Sequence, residues 1–466
     1  METRVNYLLL ATAMLGTFFS ATATRIFNIS MPTVAGSLGT DLLGISWALL
    51  AYQLSNIGLS IIFGRLADLW GRERIIALGF IVFSLSSFLC GVSQNIYQLI
   101  GFRFLQGIGA AMIQSSARAL AADAVPEHLG GRAQGYMTTA HHTGFLLGPS
   151  IGGLTIDYLS WRWTFFFLVP IGVIGSLLTL ANLKGRPTSV NRVSIDYVGA
   201  ALVFAATTTL ILLFDRRTLE IMGGEMKVAI AVAFLGCVAG LIAYELKAES
   251  PFLNLSLFKI RLFSCSAVSL LIISTCYTIS FFLLPFYLQN VLLLSPSFIG
   301  LLFMVPSIMT VILAPLSGTM ADRFGPRFPA SFGILFLVTS LLLGYFFQPN
   351  SHWMLPTSMI ALGAITNGFF NPANSKAMIS MMPREHRGFA TAINHVFFSM
   401  GNVLGVAIGG FLMTAAFEAH TGLSGVSLTT DNPIGFVAAL NTTFLAAVGL
   451  SLLGLVVSLS RGEGTS

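Results

Sequence analysis

The residues of this 466-residue chain that are best able to do chemistry are ionisable side chains inside long apolar stretches. His141 and His142 are adjacent in one such stretch. A neutral imidazole is tolerated in apolar surroundings and gains a proton readily, because its unperturbed pKa is about 6.5. The two side chains are therefore candidate proton carriers, and hydrogen-bonded structural histidines are the alternative interpretation.

Three arginines, Arg25, Arg103 and Arg118, place fixed positive charge in the same kind of stretch, because a guanidinium is effectively always protonated. All 18 carboxylate side chains lie at the ends of the stretches, in the loops or near the termini. An anionic or zwitterionic head group would relieve the repulsion between an arginine and a protonated histidine, which would link substrate binding to proton uptake. The alternative for Arg25 is a side chain that extends outward to water.

Uncharged polar residues form further candidates for a cavity, because polar side chains in apolar helices usually face the interior of a bundle. Asn367, Asn371 and Asn374 fall on one narrow helix face at 100° per residue. Substrate contact and hydrogen bonding between helices, worth about 0.6 kcal/mol per pair, are equally good interpretations. The other polar candidates are Asn28, Gln53, Asn56, Gln106, Gln114, Tyr277 and His395. No stretch contains paired carboxylates or a His/Asp metal cluster, so we expect neither an enzyme nor a metal site.

Fourteen apolar stretches must position these residues. A bilayer core of about 30 Å is crossed by about 20 apolar helical residues. The chain is 55% hydrophobic and 9% charged, against about 25% charged in soluble domains. The predicted spans are 7–34, 43–64, 75–94, 96–122, 133–156, 163–183, 197–214, 227–246, 264–291, 297–320, 328–348, 353–380, 388–417 and 434–459. We therefore predict an all-α integral membrane protein with fourteen transmembrane helices.

The 24 Lys and Arg residues predict the topology. One set of alternate loops and the two termini contain most of them, whereas the other set contains only Arg162, Arg216, Arg217 and Lys227. Loops rich in Lys and Arg stay in the cytoplasm. We therefore predict a multi-pass protein of the plasma (inner) membrane with both termini in the cytoplasm. The net charge of +6 reflects this topology, and no nucleic-acid partner is expected.

The two halves of the chain are related by an internal repeat. PEHLGGRAQGYMTTAHHTGFLLGPSIGG, from Pro126, aligns without a gap to PREHRGFATAINHVFFSMGNVLGVAIGG, from Pro383. We predict one six-helix bundle over residues 1–186, two inserted helices over 187–262 and a second six-helix bundle over 263–466. Parallel repeats are typical of alternating-access transporters, and a channel or a membrane enzyme is the alternative at this point.

Two repeated loops, GRLADLWGRER and GTMADRFGPR, resemble the signature loop of the major facilitator superfamily and its second-half copy. The matching residues are Gly64, Asp68, Gly71, Arg72 and Arg74 in the first copy and Gly318, Asp322, Arg323 and Gly325 in the second. The glycines permit tight turns between helix ends, and the charged residues can pair into a cytoplasmic gate. Leu69 and Glu73 depart from the family pattern, in which basic residues are common.

Two helices carry motifs that resemble those of the fourteen-helix drug:proton antiporters within this superfamily. RFLQGIGAA resembles an intramembrane arginine motif that includes Arg103 and Gln106. GFLLGPSIGG resembles the antiporter motif of exporters, and its residues are Gly144, Gly148, Pro149, Gly152 and Gly153. Glycines at this spacing allow close backbone contact, and the proline removes one helical hydrogen bond. Ala23 is a departure, because the branch normally has an acidic residue there, and Arg25 stands near it where a threonine is usual.

This resemblance implies a proton-coupled secondary active exporter of small hydrophobic or amphipathic compounds. It would work by alternating access and use the proton gradient without a cofactor. A dedicated exporter of an endogenous anionic or lipid-like metabolite is the alternative. We further expect a monomer in the lipid bilayer, with a small-molecule substrate and a possible periplasmic adaptor as partners.

Overall fold

The computed structural model describes residues 5–126, 129–182, 197–214, 216–247, 255–380, 387–423 and 432–461, and these residues contain helices but no strand. A 3₁₀ turn (Leu255–Lys259) lies before the tenth helix and a π-helical turn (Tyr287–Val291) follows it. The α-helices are α1 (Tyr7–Ser37), α2 (Leu42–Trp70), α3 (Arg72–Val92), α4 (Ile96–Asp123), α5 (Gly130–Tyr158), α6 (Trp163–Phe166), α7 (Leu168–Asn182), α8 (Tyr197–Phe214), α9 (Arg216–Glu245), α10 (Arg261–Phe286), α11 (Pro296–Leu302), α12 (Val305–Phe324), α13 (Arg327–Tyr345), α14 (Met354–Ser380), α15 (Arg387–Thr421) and α16 (Pro433–Leu459).

Eleven helical segments of the described residues are long and apolar enough to cross a bilayer. The all-α membrane fold is thus confirmed, whereas the predicted number of fourteen spans is not. α8 contributes only a shorter apolar helix, Ala201–Phe214. α5 and α14 are not among the eleven, because the histidine pair, the asparagine stripe and other polar residues lower their mean hydropathy.

The chain divides into two compact units. Unit 1 comprises Met1–Thr40, Trp47–Ala205 and Ser295–Leu301. Unit 2 comprises Asp41–Ser46, Ala206–Leu294 and Leu302–Ser466. The domain boundaries at residues 186 and 262 stay a prediction.

The same helix pairs form in both units. In unit 1, α1 packs against α5, and α3 packs against α4 and α7. In unit 2, α10 packs against α15, and α13 packs against α14 and α16. Because these pairs occupy corresponding positions in the two halves, the repeat in the sequence is also a repeat in packing.

Aromatic rings fill the core of unit 1 between three helices. The ring centres of Phe19 and Phe83 are 4.4 Å apart, and those of Phe19 and Phe80 are 6.0 Å apart. All three side chains are fully buried, as is Ile113 of α4. In a bilayer such contacts gain little from the hydrophobic effect, so van der Waals packing must hold the helices together.

One glycine of each repeated loop makes the turn that the sequence predicts. Gly71, directly before α3, has a φ of 98°, and Gly325, directly after α12, has a φ of 74°. Residues with a side chain rarely adopt such angles. Gly64 and Gly318 lie inside α2 and α12, so the expectation of a turn is wrong for these two.

Candidate functional site

Arg103 of α4 is completely buried in unit 1. Its Nε donates to the carbonyl oxygen of Ala48 at 3.2 Å, and its Nη1 donates to the side-chain oxygen of Gln106 at 2.6 Å. The guanidinium carbon lies 4.2 Å from the ring centre of Phe27 and 4.3 Å from that of Tyr52. A desolvated cation–π contact is worth about 2 kcal/mol. The rings therefore stabilise a charge that forms no ion pair with a carboxylate among the described residues.

Two polar groups of this buried cluster have no hydrogen-bond partner in the described part of the chain, the Nη2 of Arg103 and the hydroxyl of Tyr52. The Tyr52 hydroxyl lies beside the side chains of Thr24 and Asn56. Both polar side-chain atoms of Gln106 have a partner, because its oxygen accepts from Arg103 and its nitrogen donates to the hydroxyl of Ser87 at 2.7 Å. Leaving a buried polar group unpaired costs about 1–3 kcal/mol, so a water molecule or a substrate oxygen would stabilise this place.

Arg25 of α1 packs against α5. Its half-buried side chain places the guanidinium carbon 4.2 Å from the ring centre of Phe145. The same ring lies 4.4 Å from the imidazole of His141, which is 5.8 Å from that of His142. Arg25 is also close enough to His142 to interact with it electrostatically. We call these four residues the arginine–histidine cluster.

The other predicted site residues of unit 1 lie in mixed surroundings. Gln53 and Gln114 are half-buried. Asn28 is half-buried too, and its side-chain oxygen has no hydrogen-bond partner within the described residues. Arg118 is exposed. The predicted site residues of α4 thus extend from the fully buried Arg103 to the exposed Arg118.

The glycines of the antiporter motif bring α5 into backbone contact with α1. A Cβ atom placed on Gly144 would lie 2.6 Å from the carbonyl oxygen of Phe18, and one on Gly148 would lie 3.1 Å from that of Thr22. Gly152 lies on the same face, and a Cβ atom placed on it would lie 3.2 Å from the carbonyl oxygen of Ile26. Only glycine allows such an approach without displacing the neighbouring helix.

The far end of this motif packs against α11, which also belongs to unit 1. Pro149 lies inside α5, and a Cβ atom on Gly153 would overlap the carbonyl group of Pro296. Asp157 accepts a hydrogen bond from the backbone N–H of Ser297 at 2.8 Å. The motif therefore contacts a helix at each of its ends.

α15 presents an equivalent glycine face to α10 in unit 2. A Cβ atom on Gly401 would lie 2.8 Å from the carbonyl oxygen of Leu271, and one on Gly405 would lie 2.7 Å from that of Thr275. The internal repeat thus preserves the close contact, although the proline of the first copy has no counterpart beside Gly405.

The asparagine stripe of α14 divides between two environments. Asn374 is fully buried and donates to the carbonyl oxygen of Ser266 in α10 at 3.1 Å. Asn371 donates to the side-chain oxygen of Asn367 at 2.9 Å, and both are half-buried. Of the two roles that the sequence allows, Asn374 therefore has the structural one, a hydrogen bond between helices. The amides of Asn367 and Asn371 are partly exposed and accessible to a ligand.

Two further predicted residues of unit 2 lie on separate helices. Tyr277 of α10 is half-buried, with its ring centre 4.9 Å from that of Phe281. His395 of α15 is exposed. Between these helices, the Thr278 hydroxyl donates to the side-chain oxygen of Asn402 at 2.9 Å.

The charged residues of the first repeated loop form an ion network. Arg72 lies 3.1 Å from Asp68 and 2.6 Å from Asp123, which ends α4. Arg74 is exposed at the same edge. Asp123 was not identified from the sequence, because a lone carboxylate at a helix end carries no periodic signal.

The second loop uses a different cation. Asp322 pairs with Lys376 of α14 at 2.5 Å, and the Lys376 ammonium also donates to the carbonyl oxygen of Ala321 at 2.9 Å. Arg323 is exposed. Pro326 occupies the position that corresponds to Arg72, so the second loop has no arginine at that position.

These observations describe a helical membrane protein built from two related halves, with glycine-lined helix contacts and charged pairs at helix ends. A family model described as Major Facilitator Superfamily matches residues 13–270 and 262–464. The chain therefore belongs to the major facilitator superfamily, whose members are transporters. It is accordingly a transporter, and the prediction that it is not an enzyme is confirmed.

Curated relatives include several efflux proteins. The chain is 28% identical over 463 residues to the riboflavin transporter RibZ of Clostridioides difficile (strain 630), with 97% of each chain covered. It is 28% identical over 426 residues to the multidrug export protein EmrB of Escherichia coli (strain K12), covering 90% of this chain and 82% of the relative. The relatives named as multidrug transporters, EmrB among them, support the assignment to a drug efflux branch.

Solved structures share the fold at low sequence identity. A mutant of the peptide transporter POT has a TM-score of 0.71 at 16% identity, with 97% of this chain and 94% of the other covered. A bacterial homologue of the human lysosomal transporter Spinster has a TM-score of 0.70, also at 16% identity, with 98% and 96% covered. At this identity the likeness bears on the fold alone.

Proposed function

We propose that this transporter exports small amphipathic compounds in exchange for protons by alternating access. The arginine–histidine cluster is the observation that carries the proposal. It combines a fixed positive charge, a flat aromatic surface and two imidazoles that can gain and lose a proton. A negatively charged or zwitterionic compound with an apolar body fits this combination, and the relatives named as multidrug transporters support export.

A dedicated substrate is the second candidate. The acidic residue that the efflux branch normally has is replaced by Ala23, and Arg25 reverses the charge nearby. A site of this kind disfavours cationic drugs, and one relative is named as a riboflavin transporter. Vesicle uptake of one compound in the presence of chemically unrelated compounds would distinguish the two candidates. Inhibition by the unrelated compounds indicates broad efflux, and its absence indicates a dedicated exporter.

The remaining parts of the proposal concern energy and placement. We propose the proton gradient as the energy source, the plasma (inner) membrane as the location and both termini in the cytoplasm, because Lys and Arg favour one set of loops. We propose two six-helix bundles, 1–186 and 263–466, with inserted helices between them. A monomer, with or without a periplasmic adaptor, is sufficient for this mechanism.

The substrate charge is tested in inverted membrane vesicles with hydrophobic compounds that differ only in charge. Arg25→Ala should lower anion uptake by about tenfold or more and leave cation uptake unchanged, because a charged contact is worth about 1.5–3 kcal/mol. The control is Arg132→Ala, an exposed arginine of α5. Equal uptake of anions by Arg25→Ala and the wild type would exclude the proposed anion site.

The proton coupling is tested by the pH dependence of uptake. His141→Ala or His142→Ala should flatten the dependence of anion transport on pH, because the imidazole that gains and loses the proton is gone. Collapsing the gradient should stop transport by the wild type. Robust, gradient-driven export of organic cations with both histidines replaced would show that coupling lies elsewhere.

A further inference from the structure

A fully buried arginine lies just beyond the C-terminal end of α16. Arg461 is two residues past Leu459, and its exposed fraction is only 1%. Its Nε donates to the carbonyl oxygen of Ser458 at 3.0 Å, and its Nη2 donates to the hydroxyl of the same residue at 2.8 Å. Its Nη1 has no hydrogen-bond partner in the described part of the chain.

Three helix ends of unit 2 meet at this arginine. The Ser458 hydroxyl is 2.9 Å from the hydroxyl of Ser331 in α13. Cys265 of α10 and Arg327, the first residue of α13, both act on Arg461 electrostatically. No side chain caps the first turn of α13. Cationic side chains and the free N–H groups of a helix N-terminus are the features that bind phosphate in proteins.

The charge at this place is not balanced within the described residues, where no Asp or Glu forms an ion pair with Arg461 or Arg327. Burial lowers the pKa of Arg461 to about 10, which leaves the guanidinium protonated at neutral pH. A buried charge requires an opposite charge or hydrogen bonds to offset its loss of water. The buried Nη1 group has no such partner within the described residues.

We infer that the ends of α10, α13 and α16 form a binding site for a phosphate group, with Arg461 and Arg327 as its cationic ligands. The site is on the side of the membrane that the charge distribution predicts to be cytoplasmic. The head group of an anionic phospholipid and a soluble phosphate present the same oxygens to a guanidinium. This site is separate from the proposed transport site and does not depend on it.

The test uses the purified full chain in a neutral detergent, with the midpoint of thermal unfolding as the readout. Phosphatidylglycerol is compared with phosphatidylcholine, and potassium phosphate with potassium chloride at equal ionic strength. The phosphate-bearing anion should raise the midpoint by about 2 °C or more, because a saturating ligand stabilises the folded state by about 2–3 kcal/mol. If phosphatidylglycerol raises the midpoint and potassium phosphate does not, the ligand is a lipid head group. If both raise it, the site also binds soluble phosphate.

Arg461→Met separates this site from general effects of charge. The variant keeps the side-chain volume and removes the buried charge, so its midpoint should rise without any anion, and the response to phosphate should disappear. Arg327→Gln should weaken the response, and it serves as the second variant if Arg461→Met does not fold. Lys247→Gln, an exposed lysine two residues beyond α9, should keep the full response.

Two results would overturn the inference. One is an Arg461→Met variant with the same anion response as the wild type. The other is a wild type that responds to neither anion. A lower midpoint for Glu463→Gln, at a position outside the described residues, would then indicate that the chain supplies its own counter-charge.

Discussion

At the scale of single residues, the two arginines of unit 1 have different surroundings although both lie in apolar helices. Arg103 is enclosed by two rings and paired to two oxygens. Arg25 is half-buried beside a ring and two imidazoles. We therefore expect Arg103 to act mainly on the stability of the unit, and Arg25 to act on the choice of substrate.

Replacement of Arg103 tests this distinction. Arg103→Ala should lower the free energy of unfolding by about 2–4 kcal/mol, because it opens a cavity between Phe27 and Tyr52 and removes the donor to Gln106. Thermal unfolding of the purified protein measures the change, with Arg132→Ala as the exposed control. Unchanged stability with a selective loss of anion transport would instead assign Arg103 to the substrate.

At the scale of helices, the glycine faces decide how closely the first helix of each half approaches its partner. The contacts of Gly144, Gly148 and Gly152 recur every four residues and follow one side of α1. Gly401 and Gly405 repeat this pattern against α10. Close contact at these positions depends on the absence of a side chain.

A bulky residue on the first glycine face should separate α1 from α5. In Gly148→Leu the new Cβ atom alone would lie 2.8 Å from the Cβ of Arg25, so the helices must move apart and transport should be lost. Gly135→Leu is the matched control on α5, because no atom lies within 4 Å of a Cβ atom placed there. Normal transport by Gly148→Leu would mean that this contact is not needed during the cycle.

The second glycine face should respond in the same way if the repeat is functional as well as structural. Gly405→Leu places its Cβ atom 2.6 Å from the Cβ of Thr278, and we expect loss of transport and of thermal stability. Gly449→Leu on α16 has open space around its Cβ atom and serves as the control. If Gly405→Leu transports and unfolds like its control Gly449→Leu, the two glycine faces do not share a role.

At the scale of the whole molecule, the corresponding loop aspartates of the two halves, Asp68 and Asp322, form ion pairs with different cations. Asp68 obtains its cation from Arg72, four residues away, and Asp123 at the end of α4 adds a second carboxylate. Asp322 obtains its cation from Lys376 at the end of α14. The helix that supplies a carboxylate in one half therefore supplies an ammonium in the other.

Charge removal in the second half should show that Asp322 and Lys376 act as one unit. Asp322→Asn and Lys376→Gln should each slow transport, and the double variant should be no slower, because the second change removes a group that has lost its partner. Stability should change by less than about 1 kcal/mol, since these pairs are exposed. Additive losses in the double variant would indicate separate roles.

Replacement of the first-half carboxylate should also slow transport without unfolding the protein. Asp68→Asn leaves Arg72 paired with Asp123, so we expect a smaller effect than for Asp322→Asn, which leaves Lys376 without a paired carboxylate. Transport rates in vesicles, normalised to the amount of folded protein, compare the two. Wild-type rates in both variants would exclude a gating role for these loops.

The sequence alone determined the membrane fold, the family and the repeat. Apolar stretches, short motifs and residue spacing are read along a single chain, and each helix forms its backbone hydrogen bonds internally. For this reason the glycine spacing of α5 predicts a close helix contact, and the loop glycines predict the turns at Gly71 and Gly325, without knowledge of the neighbouring helices. The sequence also predicts spans over 133–156 and 353–380. However, α5 and α14 are not among the eleven segments apolar enough to cross a bilayer, because the residues that could bind a ligand lower their mean hydropathy.

Only the tertiary structure decided which residues meet. The 3.6-residue period gives the face on which Arg103 or Asn374 lies, but the partner depends on the rotation and height of another helix. Phe27 and Tyr52 are distant in sequence from Arg103, which they enclose, and Phe145 is distant from Arg25. The same holds for Asp123, the partner of Arg72, and for Lys376, the partner of Asp322. With aromatic residues making up 12% of the chain, no pattern singles out these rings, because their role arises from packing between helices.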